Sequence, residues 1–124
     1  MAHYVGLDIH KTVVEAAIVD SAGVLVQRAR FACTRERLER FAAEQLQPDD
    51  HVAVEATTNT WPVVDLLAPR VAAVVVSNPL RTRAIAEAKV KTDKVDALIL
   101  AQLLRADYLP QVWQPDSATR RLRL

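Results

Sequence analysis

The apolar residues of this chain are gathered into short runs, the longest being Val71 to Val76. A run of that size suits a strand, and it falls far short of the roughly 20 residues that a membrane-spanning helix needs. Near-continuous Val, Ile and Leu runs are typical of strands buried on both faces of an α/β sheet. Only six of the 124 residues are aromatic, so Val, Ala and Leu must do most of the packing. The length leaves room for one domain with a real core.

The runs come in a telling order. Tyr4 to Ile9 and Val13 to Val19 read as strands, the second broken only by Glu15. Asp20-Ser21-Ala22-Gly23 is turn chemistry, after which Val24-Leu25-Val26 resumes, giving an antiparallel meander. Thr34 is placed to cap an amphipathic helix through Leu38, Phe41 and Ala42 that ends near Pro48. His51 to Glu55 is again β-like, and Thr57, Thr58 and Asn59 are placed to cap a helix through Val63, Val64, Leu66 and Leu67. Val71 to Val76 reads as a fully buried strand. Asn78-Pro79 opens a helix from about Leu80. A last helix is expected from Thr92 or Asp93 to Ala106, with Val95, Leu98, Ile99 and Leu103 as its apolar stripe. The order β-β-β-α-β-α-β-α-α implies a mixed sheet flanked by helices, as in the ribonuclease H-like architecture.

Cys33 is the only cysteine, which excludes an intrachain disulfide and a cysteine-rich zinc site; it reads as a small buried hydrophobe. With no charged-then-apolar leader at the N-terminus and no membrane-length run, a soluble cytoplasmic protein is expected. The net charge of +1 is unevenly spread. Residues 1–62 carry six Lys/Arg against nine Asp/Glu, and residues 63–124 carry ten against six. Such asymmetry points weakly to a polyanionic partner.

Two acids end strands: Asp8 and Glu55. Ligand sites in open α/β sheets gather at the carboxyl ends of strands, so the two could share one. Asp93 and Asp96 are three apart at the start of the last helix, on one helical face if the helix begins there. Taken alone, that pair is better read as Asp93 capping the helix and Asp96 complementing its dipole. Four converging carboxylates would repel one another unless divalent cations neutralised them. Arg81, Arg83, Lys89, Lys91 and Lys94 form a basic ridge within fourteen residues, suited to phosphates or simply to water. His10 and Lys11 follow Asp8 directly, which leaves a proton-transfer or phosphate role open, although His10 reads first as a turn residue. Trp61 and Trp113 read as core or interdomain packing.

Four local words occur in order: Gly6-Leu7-Asp8-Ile9-His10-Lys11, Val54-Glu55-Ala56-Thr57, Asn78-Pro79-Leu80-Arg81-Thr82-Arg83 and Lys91-Thr92-Asp93-Lys94-Val95-Asp96-Ala97. Together they resemble the N-terminal DEDD domain of the IS-one-ten family of insertion-sequence transposases, over about Tyr4 to Asp116. The resemblance implies a RuvC-like fold and a set of catalytic carboxylates, Asp8, Glu55, Asp93 and Asp96, that bind Mg²⁺ or Mn²⁺. It also implies DNA strand exchange directed by a structured guide RNA, in homodimers or larger assemblies. Family members carry a C-terminal domain with a nucleophilic serine. Residues 1–110 would then be the catalytic domain and 111–124 the opening of a linker or helix toward that second domain, without which the fragment is expected to be inactive alone. Two other readings stay open at this point. One is a non-catalytic remnant that dimerises or binds RNA. The other is a sugar-kinase or actin-like domain, which fits poorly because such folds need glycine-rich phosphate loops and only Gly6 and Gly23 occur here.

Overall fold

A computed structural model of the chain describes residues 2–55, 60–92 and 95–109, with the backbone alone at 60 and 61. The described elements are β1 (Tyr4–Ile9), β2 (Val13–Val19), β3 (Leu25–Ala32), α1 (Arg35–Gln45), β4 (His51–Glu55), α2 (Thr60–Leu67), a 3₁₀ turn (Ala68–Arg70), β5 (Ala73–Ser77), α3 (Pro79–Lys89) and α4 (Ala97–Arg105). The five strands form one mixed sheet in the order β3-β2-β1-β4-β5. β1 and β3 flank β2 antiparallel, whereas β4 joins β1, and β5 joins β4, in parallel. This is the meander followed by alternating strands and helices that the sequence implies. No helix among the described residues is long and apolar enough to cross a membrane.

Turn and cap chemistry set most boundaries. Asp20 accepts from the backbone N–H of Ala22 and of Val24, and Gly23 takes the φ of +87° that a side chain would resist. Thr34 accepts from Arg37 N at 3.2 Å to start α1, and Asn78 accepts from Arg81 N at 3.1 Å to start α3. The caps expected at residues 57–59 lie outside the described residues, as do Trp113 and the segment 110–124.

Both faces of the sheet are covered, by different means. One face packs Val5, Leu7, Val14, Ile18, Val52, Val54 and Val76 against Leu38 and Phe41 of α1 and Val63, Val64 and Leu67 of α2. The other face lies under α4 and is built from small residues. Gly6, Ala17 and Ala53 meet a helix whose buried positions are Ala97, Leu100, Ala101 and Leu103. A Cβ on Gly6 would stand 2.0 Å from the Ala97 carbonyl oxygen and 2.8 Å from the Ala101 nitrogen. α4 therefore rests backbone to backbone on β1.

Several expectations need correction. The last helix begins at Ala97, not at Thr92 or Asp93, because Asp96 adopts an extended cap conformation and accepts from Ile99 N at 2.9 Å. Asp96 is thus the cap and lies just before the helix, and Asp93 lies outside the described residues. Of the expected stripe Val95-Leu98-Ile99-Leu103, only Leu103 is buried. Ala97 to Ala101 is apolar on every side, and the close approach at Gly6 selects the face that carries alanines. β5 runs from Ala73 to Ser77, later than Val71 to Val76, and its first two residues are half-buried. β3 extends to Ala32, well past Val26. Cys33 is half-buried at the edge of the core, not fully enclosed.

Replacing Gly6 by alanine should lower the urea midpoint. The change would gain about 0.4–1 kcal/mol from a stiffer unfolded chain. A clash with backbone, which has no rotamer to escape into, should cost about 1–3 kcal/mol or more. An unchanged midpoint would show that α4 is not pinned to β1.

Candidate functional site

Leu7 and Val54 are the last residues paired across the parallel β1–β4 ladder. The next residues, Asp8 and Glu55, therefore stand side by side at the carboxyl ends of adjacent strands. Gly6 and Ala53 lie two positions earlier, under α4, and strand alternation puts both acids on that same face. A third acid joins them. The hairpin through His10, Lys11 and Thr12 sets Asp8 directly opposite Glu15 of β2. His10 Nε2 lies 3.1 Å from Asp8 Oδ2, and Glu15 Oε1 accepts from Arg30 Nη1 at 3.1 Å. One ligand atom each from Asp8, His10 and Glu15 falls within 4.8 Å of the others, the spacing of a group that could hold a metal ion.

The electrostatics agree with this crowding. Glu55 is held above the usual carboxylate range, first by burial and then by the negative charge of Asp8, with Arg83 of α3 opposing. Arg83 thus lies at the rim of the site. Ser77, the register partner of Glu55, is buried with no hydrogen-bond partner for its hydroxyl among the described residues.

Of the four acids expected from the sequence, the structure brings Asp8 and Glu55 together. Asp96 is delivered to the same face by α4, where with Glu15, Arg28 and Arg30 it lines a cleft of about 290 Å³. Capping occupies one lone pair of its Oδ1, and a carboxylate has capacity left for a cation. Asp93 and Lys94 lie outside the described residues. Within the basic ridge, Arg81, Arg83, Lys89 and Lys91 are exposed, and Lys89 Nζ sits 5.5 Å from the centre of the Tyr108 ring. Glu15 and His10 are the site members that sequence reasoning misses. Glu15 has a signal: it is the one charge inside an apolar strand, and a two-residue turn at Lys11-Thr12, closed by His10 N donating to Val13 O, pairs it with Asp8. By contrast, Asp50 is a fully buried acid at the opposite end of the sheet, and it is accounted for by accepting from His3 N and Gln47 N.

Fold and site together define an α/β domain with an acidic centre at the carboxyl ends of its parallel strands, of a composition that points to a divalent metal. The family is shown by sequence: the model of the IS110-type DEDD transposases (IS-one-ten) matches residues 5–124, and the chain belongs to that family. Comparison with curated proteins gives no match. Among solved structures the chain is similar to an inorganic polyphosphate/ATP-glucomannokinase from Arthrobacter sp. strain KM, with 22% identity and a TM-score of 0.50 over 76% of this chain and 51% of that one. It is also similar to a ROK family glucokinase from Streptomyces griseus, with 22% identity and a TM-score of 0.47 over 74% of this chain and 38% of that one. The chain spans about half the length of the first of these. At such identity the likeness to the glucomannokinase is one of fold alone. Both glycines here are committed to structure, Gly6 to the α4 contact and Gly23 to the β2–β3 turn.

Because the carboxyl of Glu55 is raised, its charged form penalises the folded state. The penalty is absent below the ordinary carboxylate range, where Glu55 is protonated folded and unfolded alike. It grows as pH rises through the raised value and then stays constant. Glu55→Gln should therefore raise the melting temperature at pH 7 and leave it nearly unchanged at pH 4. A gain of equal size at both pH values would exclude the charge as its cause.

Proposed function

We propose that this chain is the Mg²⁺-dependent, ribonuclease H-like catalytic domain of its transposase, and that it acts on the phosphodiester backbone of DNA. The observation that carries this reading is the adjacency of Asp8 and Glu55 on one face at the ends of parallel strands, close enough for one charge to raise the other's pKa. Like charges held that close are costly unless a cation sits with them. Asp8 and Glu55 would hold the metal, with Asp93 and Asp96 completing the set that the family resemblance implies. A divalent cation there supplies charge neutralisation and Lewis-acid polarisation at a phosphodiester. His10 orients the Asp8 carboxylate through the 3.1 Å contact, as an outer partner of a ligand does. Arg83 and the exposed charges Arg81 and Lys91 would meet the backbone of the nucleic acid. A guide RNA and an assembly of several copies belong to this reading through the family resemblance.

Two measurements test it. Calorimetric titration with Mg²⁺ or Mn²⁺ should show binding that is lost in Asp8→Asn and in Glu55→Gln. Binding that survives in both variants would dissociate the two acids from the metal. In a complete transposase carrying this domain, Asp8→Asn should reduce DNA strand cleavage by at least about 10²-fold, the scale of losing one preorganised electrostatic element. Its circular dichroism and melting should remain those of a folded protein.

A further inference from the structure

Two arginines beside the acidic centre lie outside the basic ridge. Arg28 and Arg30 occupy alternate positions of β3, the edge strand, opposite Ala17 and Glu15 of β2. That register puts both on the α4 face, where they line the cleft with Glu15, Asp96 and Ala97. Arg30 is held by Glu15, which itself faces Asp8. Arg28 has no ion-pair partner among the described residues. Stability does not account for them. The Arg30 side chain is 71% exposed in its ion pair, and such surface pairs contribute about 0–1 kcal/mol.

Two residues apart on a strand, Arg28 and Arg30 have Cα atoms roughly 7 Å apart along it, comparable with the step between successive phosphates of a nucleic-acid strand. Arginine presents a planar fork that suits phosphate oxygens. Glu15, which lines the cleft, shares its sheet face with Asp8 and Glu55. We infer that Arg28 and Arg30 form a phosphate-binding track on β3 that holds the nucleic-acid backbone next to the acidic centre. Glu15 acts as a positioning residue, fixing Arg30 toward Asp8. This inference rests on the nucleic-acid reading above and adds to it a second binding surface, across the site from α3.

Fluorescence anisotropy of the chain in Mg²⁺ buffer, with labelled DNA and RNA oligonucleotides over a range of salt, tests it. Arg28→Gln and Arg30→Gln should each weaken binding about three- to tenfold and flatten the log–log salt slope by about 0.7–0.9 for each phosphate no longer neutralised. Arg28→Lys, which keeps the charge, should recover most of the slope. Arg37→Gln on α1, across the sheet, should behave as wild type. The oligonucleotide whose slope responds identifies the strand that the track holds. Wild-type slopes in both glutamine variants, with binding abolished in Arg81→Gln or Arg83→Gln, would overturn the track and leave the nucleic-acid reading standing. Failure of the unaltered chain to bind either oligonucleotide would overturn both.

Discussion

The contact between Gly6 and α4 is the constraint on which the rest of the described structure depends. A sheet covered on both faces needs a second layer. At Gly6 on the α4 side the backbones come so close that a Cβ would meet the Ala97 carbonyl and the Ala101 nitrogen. Because the helix rests directly on β1, its N-terminus cannot drift relative to the end of that strand. The acid that opens the helix and the acid two residues beyond Gly6 are thereby held on one face. Close packing, usually counted as a matter of stability, here sets the position of chemistry.

The site gathers negative charge, and at Glu55 burial and Asp8 outweigh the opposing Arg83. Asp50, at the other end of the sheet, shows how this protein treats an acid that only has to be buried: two backbone donors satisfy it. Asp8 and Glu55 are handled differently. Their neighbours are a histidine, another carboxylate and an arginine at the rim, and the net effect on Glu55 is to disfavour its charge. Such an arrangement lowers the stability of the empty domain and raises its appetite for a cation.

Much of this is legible in the residues, and the parts that are not share a cause. Strands β1, β2 and β4, helix α1 and the caps at Thr34 and Asn78 follow from apolar runs bounded by turn and cap residues. The adjacency of Asp8 and Glu55 follows from placing both at strand ends. The length of β3 is hidden because an edge strand facing solvent carries Gln27, Arg28 and Arg30, and so lacks the apolar run that betrays a buried one. The face and the start of α4 are hidden because Ala97 to Ala101 is apolar on every side. Periodicity cannot choose among equivalent faces, and the choice is made by Gly6, near the other end of the chain. Glu15 is visible as an anomaly, but its meaning requires the hairpin register.

Asp96 is both the cap of α4 and one of the acids assigned to the centre. On the proposed reading, this double role sets an order in which the acids can be lost. Where the proposed DNA chemistry is lost, losing the charge at Glu55 relieves the fold of the penalty set by its burial and by Asp8. At position 96 the helix still requires a side chain that can accept from Ile99, so drift there is confined to Asp, Asn, Ser and Thr. A relic of this family should keep a helix-starting residue at that position long after the strand-end acids have gone, and its chemical character there would record how long the fold outlived the reaction.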